Sequence, residues 1–361
     1  MSDSGTRRIL VIQALPGIGD MVWHVPFIRA ICQFEQVRCV DILAEKRSMT
    51  DQIFATEGLV SEAIWLDDFL HGKKRLRSIL RLAKYLRSKH YQRVWILHYS
   101  FSWALAALLA GIPSRFGYGL GAQRLLLSGG NYLSKNDAAL HPIDKAVKLL
   151  ALNGLDVGDI APSIPVSADN KASIEHRFKA MPRPWFTFGI GATDHGRQWG
   201  VRNFTDLAKV ISNHYGGSIF LLGGRAEVDM AEQIKNSMDS EHSATVVTII
   251  AYPIGELCAL LNMSDYFVGN DSGMLNLSAA VGTPSIGLLG MVYRSIDNHR
   301  IADDKRNIYA VFPNDQRHQQ EREFNVSYMH QISVASVGLK LQQLFEKHSA
   351  EVRQDRAASA T

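Results

Sequence analysis

Residues 266–290 hold the pattern that most restricts what this chain can fold into. An apolar run, Tyr266-Phe267-Val268, gives way to a polar loop, a small-residue segment with Leu275, Leu277, Ala279, Ala280 and Val281, then Gly282, Pro284 and a second apolar run from Ser285 to Leu289. Short runs of unbroken apolarity read as strands buried on both faces, and a helix between two of them is the connection parallel strands require. Asp271 and Ser272 carry oxygens able to accept from the orphan N–H groups of a helix start, and Gly282 supplies a left-handed stop. With Gly273 placing no side chain in the way, those N–H groups also suit the phosphates of a nucleotide. Capped helices follow strands in every α/β scaffold, so the neighbouring motifs must decide.

The same alternation runs through both halves. Strands are expected at 8–12, 39–43, 63–66 and 93–97, with helices between them, and again at 185–190, 218–222, 246–249, 266–268 and 285–289. The fold class is therefore α/β, with two doubly wound Rossmann-like domains. The proline- and turn-rich stretch 155–170 is the best linker, giving domains at 1–160 and 161–332, a C-terminal amphipathic helix at 333–348 and a disordered tail at 349–361. A chain of 361 residues, 46% hydrophobic and 20% charged, is long enough to bury a core in each half.

Composition also narrows function. Cys32, Cys39 and Cys258 have no paired spacing, so neither a disulfide framework nor a zinc site is suggested and a reducing cytoplasm fits. The apolar run after Arg7-Arg8 breaks at Pro16-Gly17, and that of 103–110 is far short of the roughly 20 residues of a membrane span. A net charge of +4 implies no nucleic-acid partner. Its distribution is uneven: in the helix expected from about residue 73, Leu76, Ile79, Leu80, Ala83 and Leu86 form the packing side, while Lys73, Lys74, Arg77 and their neighbours include no acid. That face is either a solvated surface or a holder for an anionic membrane or a phosphorylated acceptor.

The turn after the first strand, Gln13 to Asp20, contains only Gly17 and Gly19 and so lacks the dinucleotide fingerprint, which argues against a nicotinamide enzyme. Asp20 is open to two readings, helix N-cap or catalytic carboxylate. His24 reads as a packing residue of the following helix, and His195 lies in the turn 191–200.

Four motifs in order, Gly19-Asp20 with Pro26, Gly191-Ala192 with Gln198-Trp199, Leu221-Leu222-Gly223-Gly224, and Asn270-Asp271-Ser272-Gly273, make residues 8–345 similar to the bacterial heptosyltransferase family. The resemblance implies a GT-B fold, two Rossmann-like domains facing each other across a cleft, and an inverting, metal-independent glycosyltransferase of lipopolysaccharide assembly. It implies Asp20 as the general base and Arg197, in place of the family's lysine, as the cation that neutralises the departing diphosphate. The donor, ADP-heptose in this family, is expected against Gly191, Thr193, His195, Gly224, Glu227, Asp271, Ser272, Gly273 and Asn276, the last standing where the family has histidine. The lipid-linked or lipopolysaccharide acceptor is expected near Gly19, Lys73, Lys74, Arg77 and Arg115, with the enzyme cytoplasmic, peripheral at the inner face of the cytoplasmic membrane, and without cofactor or metal. The alternatives are a GT-B transferase using another nucleotide sugar for O-antigen or capsule, a non-catalytic sugar-nucleotide-binding homologue, and a GT-B-like epimerase.

Overall fold

The computed structural model describes residues 7–70, 75–128, 130–243, 245–290, 308–313 and 327–358. The chain divides into two compact units, Met1–Pro165 and Val166–Thr361. The first is built on β1 (Ile9–Ile12), β2 (Val40–Ala44), β3 (Val60–Trp65), β4 (Arg93–Ile96) and β5 (Ser114–Gly117). These form one sheet in the order β3-β2-β1-β4-β5, every neighbouring pair parallel. The second contains β6 (Trp185–Gly189), β7 (Ser218–Gly223), β8 (Val246–Ile250), β9 (Tyr266–Asn270), β10 (Ser285–Leu288) and β11 (Ile308–Val311). Their order is β11-β10-β9-β6-β7-β8, again all parallel.

Strand order reverses between β1 and β4 in one unit and between β6 and β9 in the other, and open α/β sheets hold ligands at the carboxyl ends of the strands beside such a reversal. Burial explains why the strands read as unbroken apolar runs. Helices cover both faces, so all residues of β1, β2, β6, β9 and β10 are buried, whereas the edge strand β3 is largely half-exposed. In the second unit the helix Val201–His214 offers Phe204, Leu207, Ala208 and Ile211 at helical spacing to a core that also takes in Phe186, Phe188 and Val268. Gly217, at φ 81°, admits no side chain, because a Cβ there would lie 2.0 Å from the Pro184 carbonyl oxygen.

Two expectations need correction. In the helix Arg75–Ser88 the buried stripe is Ile79, Leu82, Ala83 and Leu86, and Leu76 and Leu80 face outward at 63% and 50% exposure. Both stripes have helical spacing, and only the position of the neighbouring helix Phe101–Leu109 decides between them. The last helix spans Val334–Ala358, past the expected end at 348, because alanine, glutamate, arginine and glutamine favour the helix and residues 349–358 include no glycine or proline. Residues 359–361 of the expected tail lie outside the described residues. Among the described residues no helix is long and apolar enough to cross a membrane, and the three cysteines are free thiols.

Candidate functional site

In the second unit the carboxyl ends of β6 and β9 are tied together by one buried amide. Asn270 closes β9; its Nδ2 donates to the Ile190 carbonyl at 2.7 Å, and its Oδ1 accepts the Trp199 N–H at 3.0 Å. The turn 191–200 is further braced by the Asp194 carboxylate on the Gly196 N–H, by Trp199 Nε1 on the Ile332 carbonyl at 2.8 Å, and by the Ser327 hydroxyl on the Gly196 carbonyl. Sequence reading treated Asn270 as a strand terminator and passed over Ser327. The signal for Asn270 was an amide, rather than an apolar residue, on the last buried position of a core strand.

Against this frame the helix Gly273–Ala280 begins. Ser272 is its N-cap by backbone position, yet its side chain does not cap: the hydroxyl is buried and has no partner. The Asn276 Nδ2 donates to the Ser272 carbonyl at 3.3 Å, and its Oδ1 is also buried without a partner. Arg197 closes the group, its Nη1 3.4 Å from the Asp271 carbonyl and 3.7 Å from the Asp271 carboxylate. Burial pushes the Asp271 carboxyl upward, and the Arg197 charge opposes that shift. A hydroxyl, an amide, a guanidinium and first-turn N–H groups thus gather at the start of this helix, a combination of donors able to bind an anion.

Glu227 stands beside the same turn. Its carboxylate accepts the Gly224 N–H at 2.8 Å, and a Cβ on Gly191 would come within 2.8 Å of its Cδ, so only glycine lets the two segments meet. Gly191, Gly224 and Glu227 are thus brought together, as are Arg197, Asp271, Ser272, Gly273 and Asn276. Thr193 and His195 sit on the exposed side of the turn, His195 Nδ1 lying 3.4 Å from the Gln198 Oε1.

In the first unit the helix Ile18–Glu35 starts one turn after β1. Its N-cap is Gly17, so Asp20 is a first-turn residue whose Oδ2 accepts the Gly17 N–H at 2.9 Å. Buried Gly19 precedes it. One turn on, His24 is fully buried; its Nδ1 donates to the Asp20 carbonyl at 2.6 Å, its Nε2 has no partner, and Phe27 meets it edge-on. Burial pushes its pKa down to about 4, with His141 and His98 adding to the effect, so the imidazole is neutral. His98, just beyond β4, accepts the Ser100 N–H on Nδ1 and is likewise pushed down to about 4 by burial. Asp20 therefore stands one turn before a neutral imidazole that has His98 and His141 near it, an arrangement hidden in sequence because 98 and 141 are distant from 24.

The expected acceptor cations fare differently. Arg77 lies on the exposed face of its helix, and Lys73 and Lys74 fall outside the described residues. Arg115 donates to the carbonyls of Leu126, Ile112 and Pro113, and burial lowers its pKa; these bonds pin the 121–128 loop and give no support to an acceptor role. Among the described residues no group of three or more His, Cys, Asp or Glu is placed to hold a metal ion.

Two parallel sheets of doubly wound order are the architecture of the GT-B fold, and the family match makes the protein a glycosyltransferase. The chain belongs to glycosyltransferase family 9 (heptosyltransferase), whose family model matches residues 79–331. It is 26% identical over 293 residues to the lipopolysaccharide heptosyltransferase 2 of Salmonella typhimurium, covering 78% of this chain and 82% of that one. Its fold is similar to that of the E. coli ADP-heptose LPS heptosyltransferase II, with a TM-score of 0.75, 22% identity, and 95% of this chain and 99% of that one covered. The E. coli heptosyltransferase WaaC with ADP is also similar, with a TM-score of 0.67, 16% identity, and 93% and 99% covered.

Proposed function

We propose that the protein transfers heptose from ADP-heptose, with inversion at the anomeric carbon, to a lipopolysaccharide acceptor at the inner face of the cytoplasmic membrane. The observation that carries this reading is the Ser272 hydroxyl, without a partner among the described residues, at the start of the helix Gly273–Ala280, with the Asn276 Nδ2 and Arg197 beside it. The names of the similar proteins, lipopolysaccharide heptosyltransferases and a heptosyltransferase with ADP, support the choice of donor and acceptor.

In this reading the acceptor oxygen attacks the anomeric carbon and its proton passes to the Asp20 carboxylate, while the bond to the diphosphate breaks on the opposite face and ADP leaves. Arg197 and the first-turn N–H groups stabilise the negative charge that grows on the leaving diphosphate. The Asn276 Nδ2 has a second N–H besides the one given to the Ser272 carbonyl, so the neutral residue at this position can donate to an anion without carrying charge. The test is calorimetric titration with ADP, UDP, GDP and CDP, with and without magnesium. Selective ADP binding that weakens roughly tenfold or more in Arg197→Ala is expected, as for loss of a charge-assisted hydrogen bond. Selective UDP or GDP binding would replace the donor, and binding of none of the four would defeat the reading.

A further inference from the structure

Between Asp68 and Asp137 the chain contains no Asp or Glu but twelve lysines and arginines, whereas the rest of the chain holds more acids than bases. The same segment supplies most of the large apolar side chains that the described residues leave in solvent: Leu70, Leu76, Leu80, Tyr99, Phe101, Leu108 and Leu125, against Phe34, Leu152, Val228 and Leu339 elsewhere. These two concentrations share one surface. On the helix Arg75–Ser88, Leu76 and Leu80 project from the same exposed side as Arg77, Arg81, Lys84 and Arg87. The helix Phe101–Leu109 packs alongside it with Phe101 and Leu108 outward. The turn Gly121–Leu126 packs on that second helix and raises Leu125, 84% exposed, next to Arg124.

We propose that this face is a docking surface for an anionic lipid bilayer. Exposed leucines among cations, in a segment that from 69 to 136 holds no acid and meets Asp68 only at its edge beside Arg81, are costly on a solvated face, yet they match a headgroup region, where the apolar side chains enter the acyl boundary and the cations meet phosphates. The face also has a fixed relation to the Asp20 turn within its own unit. Tyr99 and Phe101 directly follow β4, which pairs with β1, and the Gln123 Nε2 ties the 121–126 turn to the His98 carbonyl at 2.8 Å. Docking therefore brings the carboxyl edge of this sheet toward the lipid. Its benefit to turnover rests on the acceptor being lipid-borne, as proposed above; the docking itself does not.

The experiment is co-sedimentation of the full chain with large unilamellar vesicles of phosphatidylcholine, with or without about one third phosphatidylglycerol. Expected is binding to the anionic vesicles that is roughly tenfold or more stronger than to the neutral ones and falls with added salt. Leu76→Ser with Leu80→Ser, and separately Lys84→Glu with Arg124→Glu, should each reduce it at least about tenfold, while the unfolding midpoint and the calorimetric affinity for ADP stay unchanged. Equal sedimentation with both vesicle types, or charge-reversed protein that binds like the parent, overturns the proposal. So does a failure to sediment accompanied by a dimer in light scattering that the leucine variants abolish, since a second copy would then occupy the face. The proposal and the transferase reading fail separately: ADP binding without vesicle binding defeats only the docking, and vesicle binding without nucleotide binding defeats only the transferase.

Discussion

The two units use buried charge in opposite ways. In the first, Glu35 is fully buried and accepts from Arg93 at 2.7 Å and from the Trp95 indole at 2.8 Å, with Arg7 3.3 Å away. Buried Asp41 accepts from Arg8 at 2.6 Å and from Tyr91 at 2.7 Å. Arg93 opens β4 and Arg8 precedes β1, so these tight pairs brace the amino edge of the sheet, away from Asp20. In the second unit the least exposed ion pair among the described residues is Arg197 with Asp271, at the carboxyl edge and 3.7 Å apart. The short pairs belong to architecture, although Glu35 Oε2 and Arg93 Nε keep no hydrogen-bond partner among the described residues; the long one sits at a helix start beside the Ser272 hydroxyl, which also lacks one, and that is where a ligand is to be expected.

Breaking the architectural pairs should produce the largest effect. Glu35→Ala leaves the Arg93 guanidinium and the Trp95 N–H buried without their acceptor, and chemical denaturation should register a loss of about 3–5 kcal/mol. ADP affinity should not change, and if it falls with stability the two roles are not separable. Acid should act next, again on the first unit. His24 titrates near 4 in the fold against about 6.5 in the unfolded chain, so the unfolded state binds the proton first. Its contribution is fully present above pH 6.5 and is lost as pH falls from there toward 4, by on the order of 3 kcal/mol. Urea midpoints across that range should fall less steeply in His24→Phe, and parallel curves would remove His24 as the cause.

Asp20 gives a sharper contrast, because one carboxylate is assigned both tasks. Asp20→Asn keeps an oxygen for the Gly17 N–H and should hold stability near that of the parent, while turnover drops by roughly a hundredfold through loss of the base. Asp20→Ala should match that loss of turnover and add about 1 kcal/mol of instability. Near-parental turnover in Asn would leave the residue as a cap alone. The smallest effect is expected at Ser272. Since its hydroxyl bonds to nothing among the described residues, Ser272→Ala should leave stability unchanged and weaken ADP binding by only about three- to tenfold. A destabilised variant with parental affinity would reverse that assignment.

Strands buried on both faces have no alternation to misread, so β1, β4, β6 and β9 were legible as apolar runs closed by turn residues. The start of the helix after Asp271-Ser272 was legible too, from capping oxygens at the end of an apolar run, whereas Gly191 and Gly224 stood out only through the resemblance, and a Cβ at either meets the Glu227 side chain rather than backbone. What stayed hidden depends on packing partners. Leu76 and Leu80 have the spacing of a core stripe, but Ile79, Leu82, Ala83 and Leu86 fit the neighbouring helix better. Arg115 carries the charge of an acceptor ligand, but its guanidinium is taken up by backbone carbonyls, among them that of Leu126, which sequence alone does not bring beside it. Ser272 looked like a cap, and only the backbone geometry shows its hydroxyl left over.

Asn270 has the widest reach for its size. One amide hangs the turn after β6 and the loop after β9 from the same hook, so neither can shift without dragging the other. Side chains such as Thr193 and His195 on that turn, or Asn276 in the helix that follows the loop, can therefore be exchanged while the spacing of the two segments is kept.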